Sequence, residues 1–300
     1  MGSVWALSFL SVGCMGSPSP LAPGLSGSVG VPHFGVLTEP SELPEQGLGF
    51  RRFRRKGDAN FGLPRLVSGL EQAAANVATS YPGGPPLVIG DLSVVTGGKI
   101  PRHNSHRTGR DVDLLLFVET PEGQPIESPG FVALGEDGFA HLPDGRFVRL
   151  DVKRQWQLLK SLLLDEELGV QFMFVSRDLE ALLIQYALAK ETNLELVWHA
   201  ETVMLEPADS LPHTDHVHMR IACSPMDAVS GCSGGGPHWP WLASLPELAD
   251  PDAPLLEAIL RDDPLSSSLG TQAPAQPEPR ALLQPLLGLA ENKAAPRAGL

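Results

Sequence analysis

Five of the nine histidines in this 300-residue chain fall in two short segments. His103 and His106 lie in PRHNSHRTGRDVDLL, and His213, His216 and His218 lie in PHTDHVHMRI. Each group sits beside carboxylates: Asp111 and Asp113 in the first, Asp215 in the second. Imidazole nitrogens and carboxylate oxygens are the donors a divalent zinc ion takes, and a catalytic zinc site keeps three such ligands and one open position for water. Either cluster alone would be a weak signal, because an isolated H-x-H or D-x-D is commonly a solvated pair on a strand. Two clusters in one chain point to a metal centre.

The spacing says which side chains can meet. His216 and His218 are two apart where the chain becomes apolar and β-branched, so on a strand they project from one face. Asp111 and Asp113 repeat this spacing at the start of a second apolar run. His106 lies seven residues before Asp113, across a turn containing Gly109, which lets it fold back toward Asp113. His33 and His238 lie in loop-like sequence near prolines and read as solvated. His141 and His199 have no metal-type spacing, although His199, next to Trp198, is a candidate for the lining of a cleft.

At these residues the chain resembles a known family. The segment GDLSVVTGGKIPRHNSHRTGRDVDLLL (Gly90–Leu116) and the segment PHTDHVHMRIAC (Pro212–Cys223) look like those of the penicillin-insensitive murein endopeptidases, members of the superfamily of lysostaphin, the D-Ala-D-Ala metallopeptidases and sonic hedgehog. The resemblance runs from about Asn60 to Cys223. It implies His106, Asp113 and His218 as ligands of a zinc ion, His216 as the catalytic histidine, and His213 and His103 as further active-site histidines. It also implies peptidoglycan stem peptides as substrate, cut at the D-Ala to diaminopimelate cross-link. The alternatives are a D-Ala-D-Ala carboxypeptidase or dipeptidase, and a non-catalytic zinc-containing binding module. His216 is read as the base toward water or as an oxyanion stabiliser, with Asp215 as the rival base. Asp111 and Asp91 read as residues that orient ligand imidazoles through the other ring nitrogen.

These residues need a framework. Leu63, Leu66, Val67, Leu70, Ala74 and Val77 recur at helical spacing around Pro64, which predicts a helix to about Ser80. Helices are also predicted over Trp156–Leu164 and Leu179–Leu188. Strands are predicted over Leu87–Val94, Val112–Val118, Val170–Val175, Leu194–Trp198 and Val217–Ile221. Helices and strands mix without regular alternation, so the fold class is α+β. The expectation is a single catalytic domain whose small, mostly antiparallel sheet carries the zinc site and is flanked by helices.

A net charge of −13 excludes nucleic acid as the main partner, since phosphate binding calls for a basic face. The run Arg51–Lys56 reads as a solvated basic stretch or as a contact for an anionic surface. Residues 1–14 read as an export signal ending in a lipobox-like Leu-Ser-Val-Gly-Cys, so that acylated Cys14 would anchor the protein to a membrane in the periplasm or cell envelope. Residues 15–49, rich in Gly, Pro and Ser, read as a flexible tether, residues 50–246 as the metallopeptidase domain, and residues 247–300 as a Pro/Ala-rich disordered tail. Cys223 and Cys232, nine apart in a loop, are expected to form a disulfide. Trp239 and Trp241 read as a packing anchor rather than a sugar-stacking platform.

Overall fold

The computed structural model describes residues 27–54, 57–207, 210–234 and 236–245. The segment read as an export signal, with Cys14, the first part of the segment read as a tether, Arg55, Lys56 and residues from 246 onward lie outside these residues.

The fold is α+β, as the mixed pattern predicts. Seven strands build the main sheet: β1 (Gln46–Gly47), β2 (Phe50–Arg52), β3 (Leu87–Ile89), β4 (Asp111–Leu115), β5 (Val170–Phe174), β6 (Met204–Leu205) and β7 (His216–Ile221). Their spatial order is β6-β5-β7-β4-β3-β2-β1. The pairings β5 with β6 and β2 with β3 are parallel, and the other four are antiparallel. A second, four-stranded sheet comprises Val118–Glu119, Pro125–Ile126, Phe139–His141 and Phe147–Leu150.

Alternation along the strands divides the main sheet into two faces. In β4 and β7 the residues Val112, Leu114, Val217, Met219 and Ile221 are fully buried and belong to the apolar core. That core also takes the buried stripe of helix α1 (Pro64–Ser80), with Leu66, Leu70, Ala74 and Val77, and the apolar side of α2 (Val152–Leu163). Two further helices, α3 (Arg177–Lys190) and α4 (Leu194–Val203), add Leu179, Leu183, Leu196 and Ala200. Asp111, Asp113, His216, His218 and Arg220 therefore project from the other face. Among the described residues no helix is long and apolar enough to cross a membrane.

Two sequence expectations are corrected. Leu194–Trp198 is not a strand but the first half of α4. The Asn193 side chain accepts from the backbone N–H groups of Glu195 and Leu196, and Leu196, Val197, Ala200 and Val203 bury one side of a helix. A short Leu-Val-Trp run fits either period, and the cap decides it.

The second correction concerns the tether. Residues 27–49 are folded: Gly27–Val31 pairs with Phe34–Thr38 as a hairpin, Ser41–Glu42 pairs with Phe61–Gly62, and Leu37 and Leu43 are buried. Backbone bonds from Leu37 N–H to the Thr96 carbonyl and from Leu43 N–H to the Asn60 carbonyl fix the segment against the domain. No periodic apolar pattern announces it, because its partners are distant backbone groups. Gly30 donates to the Gly231 carbonyl and accepts from Ser233 N–H, which joins the hairpin to the loop closed by the Cys223–Cys232 disulfide.

Candidate metal and catalytic site

Strand register assembles the site. In the antiparallel pairing of β7 with β4, His218 lies opposite Asp113, Arg220 opposite Asp111, and His216 opposite Leu115. The loop before β4 brings in the third element. His106 adopts a left-handed backbone at φ 62°, and its carbonyl accepts from Ser93 Oγ, which in turn accepts from Gly109 N–H. The turn through Gly109 folds His106 back over Asp113, as the spacing predicts.

Three donor atoms then face one another: His106 Nε2 and Asp113 Oδ1 at 3.3 Å, His218 Nδ1 and Asp113 Oδ1 at 3.2 Å, and the two ring nitrogens at 3.2 Å. His106 Nδ1 lies 3.1 Å from the Leu92 carbonyl, and His218 Nε2 lies 2.9 Å from Asp111 Oδ1. Those acceptors draw the ring proton to the outer nitrogen of each imidazole, leaving bare nitrogens inside. Two lone pairs and a carboxylate at such range repel one another unless a cation lies between them. Both oxygens of buried Asp113 also lack a partner in hydrogen-bonding geometry. A tetrahedral site with metal–ligand bonds of ~2.0–2.1 Å has edges of roughly 3.3 Å, which is the spacing of these three atoms. Their chemistry and separation fit a metal ion.

Asp111 is itself held: Arg220 Nε donates to its Oδ1 at 2.6 Å, and the guanidinium lies 5.6 Å from the centre of the Phe174 ring. Burial disfavours the Asp111 carboxylate, but Arg220 and His218 more than offset this and hold it below the usual carboxylate range. Asp113 behaves likewise: burial opposes ionisation, and the contacts with His106, His216 and His218 outweigh it. Burial also opposes a charged His218, yet Asp111 and Asp113 raise its affinity for a proton.

His216 stands beside the three donors. Its Nε2 is 3.4 Å from Asp113 Oδ1, its Nδ1 is 2.6 Å from Asp215 Oδ1, and the edge of Phe131 packs on its ring. Burial works against the imidazolium, but the contacts with Asp113 and Asp215 prevail and push the ring up to about 9. A cation bound by Asp113 would offset the first of those two pulls. His213 packs against His216 with ring centres 4.7 Å apart, and its Nδ1 is buried without a partner. Burial, then the neighbouring His216 and His218, bring it down to about 4, so it is neutral at pH 7.

His103 completes the group. Its Nε2 lies 3.1 Å from Asp91 Oδ2 and its Nδ1 3.8 Å from Asp113 Oδ2. Asp91 thus contacts His103 rather than a member of the three-donor cluster. The acceptor for His106 is the Leu92 carbonyl, which a side-chain pattern does not reveal. Arg54 was also hidden, within a run read as solvated: its Nη1 reaches both Asp91 oxygens, at 3.2 and 3.0 Å. Its neighbours are paired as well, Arg51 with Glu127 and Arg52 with Glu42. His33, His141 and His238 are exposed and lie apart from the cluster.

The α+β fold and the buried His/Asp group define a protein able to hold a metal ion on a sheet face. Residues 28–237, well over half of the chain, match the penicillin-insensitive murein endopeptidases. The chain belongs to that family. It is therefore a peptidase of the peptidoglycan-hydrolase class, whose substrate lies in the cell envelope. Among curated proteins, none matches the chain at a significant level.

Proposed function

We propose that the protein is a zinc-dependent endopeptidase that hydrolyses the D-Ala to diaminopimelate cross-link, with His106, Asp113 and His218 holding the metal. The observation that carries this reading is the convergence of His106 Nε2, His218 Nδ1 and the buried Asp113 carboxylate, with His216 Nε2 directly beside them. Bound there, zinc would polarise the scissile carbonyl and lower the pKa of a water toward roughly 7.

The chain's own groups supply the proton traffic. His216 Nε2 takes a proton from the attacking water and later delivers one to the amine nitrogen that leaves, so that the acyl side gains hydroxyl and the amine side gains hydrogen. Asp215, at 2.6 Å from Nδ1, orients the ring and balances its charge during that passage. On this reading Asp215 stands behind His216 rather than in its stead as base. His213, neutral and with an uncommitted ring nitrogen, is suited to hydrogen-bond the oxygen on which negative charge develops. His103, held by Asp91, orients groups on the Asp113 side of the cluster.

Cleavage within a chain rather than at a free carboxyl end is supported by what the nearby arginines already do. Arg220 is engaged by Asp111, and Arg110 is fully buried with Nη2 donating to the Ser233 carbonyl. Neither of these two is placed to receive a terminal carboxylate, Arg220 because Asp111 occupies it and Arg110 because it is buried, which leaves exposed Arg102 and half-buried Arg107 as the arginines a carboxypeptidase would have to use. The export reading of residues 1–14 places the enzyme in the periplasm or cell envelope, anchored through acylated Cys14. Recovery of Cys14→Ala protein in the membrane fraction at the wild-type level would remove that anchor.

Digestion of purified sacculi and of isolated cross-linked muropeptide dimers tests the activity. The expected products are monomers, with no free D-alanine and no reaction in the presence of a chelator. Free D-alanine from monomeric pentapeptide with dimers left intact would overturn the endopeptidase reading. Turnover undiminished after complete chelation would overturn the metal dependence.

A further inference from the structure

A second concavity lies away from the His/Asp cluster. It encloses about 470 Å³ between the end of α2, the start of β5 and the outer side of α4. Val170 of β5 pairs with Ile221, whereas Phe174 at the other end of β5 pairs with His218. The cavity and the cluster are thus separated by about 13 Å along the strand at its usual rise per residue.

Its walls have a defined chemistry. Trp198 on α4 is 54% exposed, an unusual state for the largest apolar side chain. Trp241 meets it edge to face, with ring centres 5.4 Å apart at 84°, so the two indoles form a corner. Trp239 stacks behind Trp241 and donates Nε1–H to the Gln171 carbonyl, which fixes the arrangement to β5. Trp239 is thus the packing anchor that the sequence suggests, while Trp241 also lines the cavity. Glu166 and Glu195 are exposed at the rim, and Asn193 joins them. The Asn193 carbonyl caps α4, which leaves its NH2 group to donate. Two lining residues also carry buried polar atoms without partners, His199 Nε2 and Trp241 Nε1, the kind of group that is costly to leave unmet.

From the aromatic corner, the rim and the volume we infer that this cavity is a glycan subsite that takes a neutral N-acetylated amino-sugar unit of the strand whose stem peptides the enzyme cuts. The inference rests on peptidoglycan being the substrate. The apolar face of a pyranose packs on indole, its hydroxyls donate to carboxylates, and an acetamido carbonyl accepts from the Asn193 amide. The acidic rim disfavours an anion. The volume falls in the range of roughly 300–1,000 Å³ that encloses a whole small ligand, far more than an ammonium group would fill. Holding the strand here would raise the local concentration of stem peptide at the cluster.

The test uses the full-length, metal-loaded protein and a peptide-free β-1,4-linked N-acetylglucosamine tetramer. Calorimetry and ligand-observed NMR should show binding to the wild type and at least about tenfold weaker binding to Trp198→Ala, a loss of about 1.4 kcal/mol. Trp198 is exposed, so the variant should fold, and Glu195→Gln, which keeps both indoles, should also weaken binding. Cleavage of soluble peptide dimers that lack sugar should be unchanged in both variants, while release from intact sacculi falls several-fold. No binding of the tetramer by the wild type at millimolar concentration, equal binding by Trp198→Ala, or preferential binding of a sugar-free peptide bearing a primary amine would each overturn the inference. The binding measurement needs no turnover, so it stands or falls separately from the proposed reaction.

Discussion

Asp215 Oδ1 lies 2.6 Å from His216 Nδ1, and the opposite nitrogen of the same ring points at Asp113 Oδ1 from 3.4 Å. A single imidazole therefore joins an outer carboxylate to the inner one. If Asp215 orients and balances His216, Asp215→Asn should lower kcat about 100-fold with little change in KM, within the range of general acid–base contributions. Metal content should stay at the wild-type level, because Asp215 contacts none of the three converging donors. A kcat within a factor of two of wild type would remove the residue from the proton path.

Metal analysis separates the two strand histidines. His218→Ala should lose most bound metal, since one of three donors is gone, whereas His216→Ala should keep its metal and lose turnover. Asp111→Asn should weaken metal binding about 10–100-fold by loosening the His218 ring it holds at 2.9 Å. Wild-type stoichiometry and affinity in His218→Ala would refute the ligand assignment.

The turn that carries His106 depends on a glycine and on the folded N-terminal segment. Gly109 has φ +74°, and a Cβ added there would stand 2.6 Å from Leu37 Cδ1. Gly109→Ala should destabilise the protein by about 1–3 kcal/mol from backbone strain and overlap together. Adding Leu37→Ala should relieve the overlap and leave the strain, so denaturant unfolding of the double variant should show a smaller loss than the two single losses summed.

Asp227 links α1 to the disulfide loop. Its Oδ2 accepts from Arg65 Nη2 at 2.7 Å and from Ser224 Oγ at 2.7 Å. Burial opposes its ionisation, but Arg65 and Ser224 prevail and hold the carboxyl below its ordinary value. A folded value below the unfolded one adds stability above the unfolded pKa of about 3.9 and loses it as pH falls through the folded value. Asp227→Asn should therefore be less stable than wild type at pH 7, by about 1–3 kcal/mol. The difference should shrink when unfolding is followed below pH 4. A gap that stays constant down to pH 2 would show that the charge is not its source.

What the sequence determined by itself was local. Alternation put His216 and His218 on one side of a strand, the i, i+3, i+4 pattern announced α1, and the two His/Asp segments pointed to a metal centre, because residue identity and short-range spacing are written in the chain. Three things were decided only by the tertiary structure. The register of β7 on β4 sets His218 against Asp113, although more than a hundred residues separate them. The Leu92 carbonyl and the Arg54–Asp91 pair reach the site through contacts with no side-chain periodicity. Residues 27–49 fold because distant backbone groups such as Thr96 and Asn60 satisfy their hydrogen bonds. A backbone donor or acceptor looks the same at every position of a sequence. Its partner is chosen when the core closes, and so the surroundings of the site had to be seen in three dimensions while the two His/Asp segments that build it could be read in one.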